Sequence, residues 1–201
     1  KNQNNTKFSL YFKKGFIKNI SGRFNFTTTL LGNHNVLNAT AAITAALIAN
    51  VPIKNIYNSL STFQGVKRRF SLLGKINKAS IYDDYAHHPS EIKASYEIAK
   101  QISKKNIIVI FQPHRFSRTS LLLNDFIKIL KKIKILYVLD IYSAGEKPIK
   151  DINSKKLVSK LKNNKVKAHY LNKEKKLDLV LEPYFNEENV IIFMGAGSIT
   201  Y

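Results

Sequence analysis

The side chains able to do chemistry gather in a few short stretches. Ser80-Ile81-Tyr82-Asp83-Asp84-Tyr85-Ala86-His87-His88-Pro89 passes from an apolar run into carboxylates, a phenol and imidazoles. Gln112-Pro113-His114-Arg115-Phe116-Ser117-Arg118-Thr119 follows a second apolar run, Asp140-Ile141-Tyr142-Ser143-Ala144-Gly145-Glu146 a third, and Gly195-Ala196-Gly197-Ser198 the last. Arg115 and Arg118 stand three apart around a turn entering a helix, and guanidinium forks take carboxylate or phosphate bidentately. Asp84, at a strand end, can accept hydrogen bonds from ribose hydroxyls. Gly195-Ala196-Gly197 either brings backbone N–H groups to an anion or makes a tight strand-to-helix turn. His87 and His88 leave a strand as neighbours and point apart, and no His-x₃-His pair exists, so a metal site is disfavoured against substrate contact. A serine hydrolase is disfavoured too, because no G-x-S-x-G elbow occurs.

These clusters need a scaffold. From about residue 71 the chain alternates strands and helices. A β-run or hairpin covers 72–81, then strands cover 107–111, 135–139, 166–171 and 190–194. Helices are expected over 90–103, 120–132, 154–161 and 176–185. Continuous rather than alternating apolar strands, separated by helices, predict a mostly parallel α/β sheet with helices on both faces, Rossmann-like in type. In a parallel sheet the four polar clusters fall on one edge, where open α/β sheets place their ligands. Pro89 stops the first strand, and Ser90 is expected to cap the helix behind it, with Glu91 in its first turn.

The first 65 residues read differently. Runs at 8–12, 16–20 and 24–30, punctuated by Gly15 and Ser21-Gly22, predict β-hairpins that complete a larger sheet. Gly32-Asn33-His34-Asn35-Val36-Leu37-Asn38 leads into an Ala-rich helix over 39–49, and a second helix covers 53–63. Asn35 and Asn38 share one face of the first turn, where amides suit a nucleotide or serve as caps. The basic segment Gly65-Val66-Lys67-Arg68-Arg69-Phe70 reads as a linker, giving domains at 1–65 and 66–201.

Composition narrows the class. The chain has 201 residues, 44% of them hydrophobic, enough for a real core. Cysteine is absent, which excludes disulfides and thiolate metal sites and fits a reducing, cytoplasmic setting. No apolar run reaches the ~18 residues of a membrane span, and no signal-peptide pattern opens the chain. Because the first residue is Lys, the chain is expected to begin within a longer protein. The net charge of +20 admits a nucleic-acid surface, but the lysines are dispersed over the polar faces of the expected helices, which disfavours that class.

Taken together, Gly-Asn-His-Asn-Val-Leu-Asn-Ala, Gly-Val-Lys-Arg-Arg-Phe, Asp-Asp-Tyr-Ala-His-His-Pro, Phe-Gln-Pro-His-Arg-Phe-Ser-Arg-Thr, Ala-Gly-Glu and Gly-Ala-Gly-Ser-Ile resemble the Mur ligases of peptidoglycan synthesis, in their alanine-adding branch. The match runs in order from about residue 20 to the end. It implies the tail of the family's central ATPase domain, strands plus helices, followed by its Rossmann-like C-terminal domain. The implied reaction is ATP-dependent ligation of L-alanine to UDP-N-acetylmuramate through an acyl phosphate. Asn35 and Asn38 would then lie near adenine, Arg69 would reach the phosphates, and Asp84 would hold the ribose. Tyr85, His87, His114, Arg115 and Arg118 would form the amino-acid and product pocket, with Arg69, His87 and His114 as catalytic groups. The P-loop, the UDP-binding domain and the Mg²⁺ ligands have no counterpart in these residues. The chain is therefore expected to be inactive alone, as a fragment or the remnant of a decayed reading frame. A murein-tripeptide recycling ligase shares Asp-Asp-aromatic-Ala-His-His-Pro but carries a Glu-Pro-Arg-Ser type sequence where this chain has Gln112-Pro113-His114-Arg115. A non-catalytic basic nucleic-acid module is the remaining alternative.

Overall fold

The computed structural model describes residues 5–163, 166–172 and 176–199. Two units meet between Val66 and Lys67. In the first, β1 (Thr6–Ile17) and β2 (Ile20–Thr28) form an antiparallel hairpin with an irregularity between Phe12 and Ile17. The three expected strands are thus two long ones: Gly15 lies inside β1 at positive φ rather than at a turn, and the chain reverses at Lys18-Asn19. Helices α1 (Asn33–Ile48) and α2 (Ile53–Thr62) supply the cover. Phe12, Ile17 and Phe26 pack with Ile43, Leu47 and Ile56, so a two-stranded sheet is stabilised by its helices. Among the described residues the hairpin joins no larger sheet.

The second unit is built on a six-stranded sheet of order β3-β4-β8-β5-β6-β7. β3 (Ser71–Ile76) pairs antiparallel with β4 (Ala79–Asp84). The others, β5 (Ile107–Phe111), β6 (Ile135–Val138), β7 (Lys167–Tyr170) and β8 (Val190–Met194), run parallel to β4. Alternation along each strand sorts the two cores. Val109, Phe111, Leu136, Val138, Ile192 and Met194 pack beneath α3 (Pro89–Ile102), α5 (Leu123–Leu130) and α6 (Ser154–Asn163). Ile108, Ile110 and Ile191 face the other way, toward Leu181 of α7 (Leu177–Leu181). The predicted α/β architecture, mostly parallel with helices on both faces, is the one observed.

The expected helix over 120–132 is in fact two. A short α4 (Phe116–Leu121) ends at Leu122, whose φ of −105° and ψ of 19° start α5 on a new axis. No Gly or Pro marks the break. The run Leu121-Leu122-Leu123 cannot bury three consecutive side chains on one helix face, so Leu121 stays 84% exposed while Leu122 and Leu123 reach the core. The last helix is cut short by Pro183, and a 3₁₀ turn, Glu182–Tyr184, completes the segment.

Candidate functional site

β4 carries both aspartates as its last two residues, so the strand runs further than its apolar stretch and the two carboxylates point to opposite faces. In register, Asp84 sits beside Met194 of β8, Met194 beside Phe111 of β5, and Phe111 beside Val138 of β6. The loops after those strands therefore leave from one rim, as the sequence implied.

Behind β4, the turn is held by its own polar groups. Asp84 is 4% exposed; its Oδ1 accepts the Ala86 amide at 3.1 Å and its Oδ2 accepts the Ser95 hydroxyl. Burial outweighs those hydrogen bonds and the nearby Arg69, and pushes the carboxyl up to about 6. The cap of α3 is His88, not Ser90. Pro89 takes the first helical position, the His88 Nδ1 accepts from the Ser90 amide, and Glu91 completes a capping box. An imidazole acceptor on the residue before a proline does what Ser90, already inside the helix, cannot.

Glu91 reaches further than a cap. Its Oε2 accepts the amides of His87 at 3.0 Å and His88 at 3.1 Å. The same oxygen lies 3.3 Å from His87 Nδ1, and Oε1 lies 3.3 Å from a guanidinium nitrogen of Arg69. Burial opposes ionisation here, but the His87 amide and ring, the His88 amide and Arg69 together hold the carboxyl below its ordinary range.

The rings form a file. Tyr85 meets His87 at 5.3 Å between centroids, His87 meets His114 at 5.7 Å, and His114 stacks on Tyr142 at 5.4 Å with 16° between planes. His87 Nδ1 faces only acceptors, the Tyr85 carbonyl at 2.8 Å and Glu91, so it carries the proton and Nε2 keeps the lone pair of the neutral ring. His114 Nδ1 lies 3.1 Å from Arg118, a pure donor, so here Nδ1 accepts and Nε2 carries the proton. Burial, reinforced by Arg118, His87 and Arg115, holds the His114 imidazole below its usual pKa.

Arg115 caps α4 at a φ of 72° and is exposed, and the Ser117 amide donates to Glu146 at 3.0 Å, which ties the loop after β6 to this helix. The Arg115 amide donates to the Tyr142 carbonyl and the Tyr142 amide to Pro113.

Arg68 closes the far side. Its guanidinium pairs with Asp83 at 3.2 Å and donates to the carbonyls of Gly195 at 2.9 Å and Gly197 at 3.0 Å. The Gly195 amide donates to the Asp84 carbonyl. The glycine loop thus presents two carbonyls to Arg68 and commits the Gly195 amide to Asp84. At Gly197 a Cβ would stand 2.6 Å from Gln112 Oε1 and 2.7 Å from Tyr142 Cγ, so this backbone passes where only glycine fits.

Of the nine residues singled out from sequence, Arg69, Asp84, Tyr85, His87, His114, Arg115 and Arg118 lie along this rim of the second unit. Asn35 and Asn38 belong to the first: the Asn35 amide bonds back to the Leu31 carbonyl at 2.8 Å, and Asn38 touches Asn35 at 3.4 Å. Tyr142, Arg68 and Glu91 went unremarked as site residues. Their signals were present, in a third strand-end cluster, in the basic segment, and four residues beyond His87. A cavity of about 480 Å³ at the β7 edge, lined by Tyr137, Lys155, Lys162, His169 and Tyr170 among others, contains none of the candidate residues, and the converging side chains mark the site better than its volume does.

The family model described as "Mur ligase, glutamate ligase domain" matches residues 68–197, the stretch that carries the rim. The chain belongs to the Mur ligase family. Among curated Mur ligases, UDP-N-acetylmuramate–L-alanine ligase of Rickettsia typhi is 44% identical over 174 residues, covering 84% of this chain and 35% of that protein. The enzyme of the same name from Rickettsia canadensis is 43% identical over 180 residues, covering 87% of this chain and 38% of that one. The crystal structure of UDP-N-acetylmuramate-alanine ligase from Thermotoga maritima superposes with a TM-score of 0.73 at 31% identity, over 92% of this chain and 39% of that one. A murein peptide ligase from Psychrobacter arcticus shares the fold, with a TM-score of 0.64 at 20% identity over 96% of this chain and 39% of that chain. The chain spans little more than a third of the length of the curated Mur ligases it matches.

Proposed function

We propose that this chain supplies the amino-acid-accepting part of an ATP-dependent ligase that joins L-alanine to UDP-N-acetylmuramate in the cytoplasm, for peptidoglycan precursor synthesis. The observation that carries the reading is the file Tyr85–His87–His114–Tyr142, with Arg118 on His114 at 3.1 Å and Arg69 beside Tyr85 and Glu91. The relatives at 43–44% identity supply the reaction class.

In this reading residues 66–201 are the family's C-terminal domain, and residues 1–65 are the tail of its ATPase domain. Arg115 and Arg118 take the alanine carboxylate as forks. His114, kept neutral, donates from Nε2. His87, with Nδ1 anchored, presents Nε2 as the acceptor for the amine proton. The amine nitrogen attacks the acyl-phosphate carbon, the C–N bond forms, and the C–O bond to phosphate breaks with its electron pair leaving on phosphate. The protein makes no bond itself, so its contribution is positioning and charge neutralisation.

A nucleotide phosphate suits Arg69, which is half-exposed and held at the rim by one Glu91 oxygen and the face of the Tyr85 ring. For Asn35 and Asn38 the adenine role rests on the family motif alone. Asp84 has one lone pair per oxygen left for a ribose hydroxyl after Ala86 and Ser95 are served. No group of three His, Asp or Glu side chains among the described residues is arranged to hold Mg²⁺, and no step here runs through it. The 201 residues alone are expected neither to hydrolyse ATP nor to ligate.

The test is a chimera in which this chain replaces the matching segment of the Rickettsia typhi ligase. ADP release that requires both UDP-N-acetylmuramate and L-alanine is the expected result. Turnover driven by murein tripeptide in place of L-alanine would refute it in favour of the recycling ligase.

A further inference from the structure

Glu91 forms an ion pair with Arg69, whose guanidinium also lies over the Tyr85 ring at 5.6 Å, and it holds His87 at the same time. The two oxygens divide the work: Oε1 faces the Arg69 guanidinium, and Oε2 faces the ring and amide of His87 and the amide of His88. The capping box needs an acceptor at this position but no charge, since glutamine serves there as well. The carboxylate is therefore more than the cap requires. It sits where two neighbouring site cations or dipoles need an anion when no substrate is present. The side chain is 31% exposed and that of Arg69 53%, so an incoming anion can reach the pair from solvent. Exposed guanidinium–carboxylate contacts at this distance are weak, worth little against a polyanion offering several oxygens.

We infer that Glu91 is a positioning residue: it holds Arg69 at the rim as a resident counter-ion, and phosphate oxygens of a nucleotide displace it there while its second oxygen keeps His87 in place. This rests on the reading above that Arg69 meets phosphate. The exchange moves one ion pair and forms or breaks no covalent bond. It links the two ends of the site, because one carboxylate restrains both the phosphate-binding arginine and the imidazole that faces the amine. Releasing Arg69 leaves Glu91 bound by the His87 and His88 amides, so the turn does not collapse when the nucleotide arrives.

The experiment uses the 201-residue chain, with inorganic tripolyphosphate as the probe in about 0.15 M salt, where charges more than ~8 Å apart are largely screened. Binding is followed residue by residue by NMR, at Arg69 Nε–H and at the His87 and His88 amides. Glu91→Gln keeps the cap acceptor and removes the charge. It should bind the probe about two- to fivefold more tightly than wild type, the scale of one exposed ion pair. A merely structural role predicts unchanged or weaker binding in that variant. Equal affinity in wild type and Glu91→Gln, with Arg69→Gln weakened, overturns the counter-ion role and leaves the phosphate reading intact. If Arg69→Gln binds as wild type does, or if Arg69 Nε–H does not respond in wild type and Glu91→Gln alike, both fall.

Discussion

His87 and His114 lie 5.7 Å apart and are wired in opposite senses, one ring held at Nδ1 by acceptors and the other by a donor. The consequence can be measured. His114 is held below 6.5 by burial and by Arg118. Its folded form therefore binds fewer protons than the unfolded chain, and this group's contribution to stability falls as pH drops through about 6.5. A ¹H–¹³C titration should place its midpoint below 6.5, and Arg118→Ala should move that midpoint upward; a midpoint above 6.5 in the wild type would contradict the burial argument. Asp84 works in the other direction. Its folded value of about 6 exceeds the ordinary ~3.9, so the stability associated with the protonated carboxyl is present below pH ~4 and lost as pH rises through 6. Asp84→Asn should remove most of that pH dependence, ~2–3 kcal/mol between pH 4 and 7 by chemical denaturation. An unaltered profile would mean that the buried carboxyl is not the group titrating.

At the scale of elements, α3 and the glycine loop set where these side chains stand. Replacing His88 with Ala removes the N-cap acceptor of α3 and should lower stability by about 1 kcal/mol, read from a urea midpoint. Gly197→Ala is more severe. The new methyl would meet Gln112 Oε1 and the Tyr142 ring, and that ring is the one stacked on His114. A loss of ~1–3 kcal/mol is expected, together with a shift of the His114 ring resonances. A fully stable variant with unchanged His114 signals would show that the loop has room the geometry denies. The Leu122 break belongs to the same scale. It turns α4 away from α5 and leaves α4, with Arg118 on it, at the rim while α5 covers the sheet.

For the whole molecule, each unit has its own core. The hairpin and two helices share one apolar cluster, and the six-stranded sheet is covered on both faces. Residues 67–201 expressed alone should unfold cooperatively, with a melting temperature within a few degrees of the same unit in the full chain. A molten product, with lost amide dispersion, would overturn the independence of that core. The net charge of +20 is spread along both units rather than gathered on one element. Duplex DNA should accordingly bind weakly, with a shallow dependence on salt between about 50 and 200 mM. Tight binding that weakens steeply, with a slope of about −0.9 per phosphate contact, would favour the nucleic-acid reading instead.

Periodicity sufficed for the sheet of the larger unit, though not for the break at Leu122 or the short last helix, because continuous apolar runs between helices have few alternatives to a covered parallel sheet. From that sheet the shared rim followed, and with it the grouping of Asp84, His87, His114 and Arg118. Residue order also carried the family motifs. Contacts between residues far apart in the chain were not legible in the same way. Arg68 reaches Gly195 and Gly197 across more than 120 positions, and Tyr142 stacks on His114 only because β5 and β6 are neighbours. The cap on α3 passed from Ser90 to His88 because Pro89 occupies the first helical position. Local pattern reports what a segment prefers to be. Which acceptor, ring or carbonyl a side chain finally meets is decided by packing, where geometry among distant neighbours outweighs the preference of any one residue.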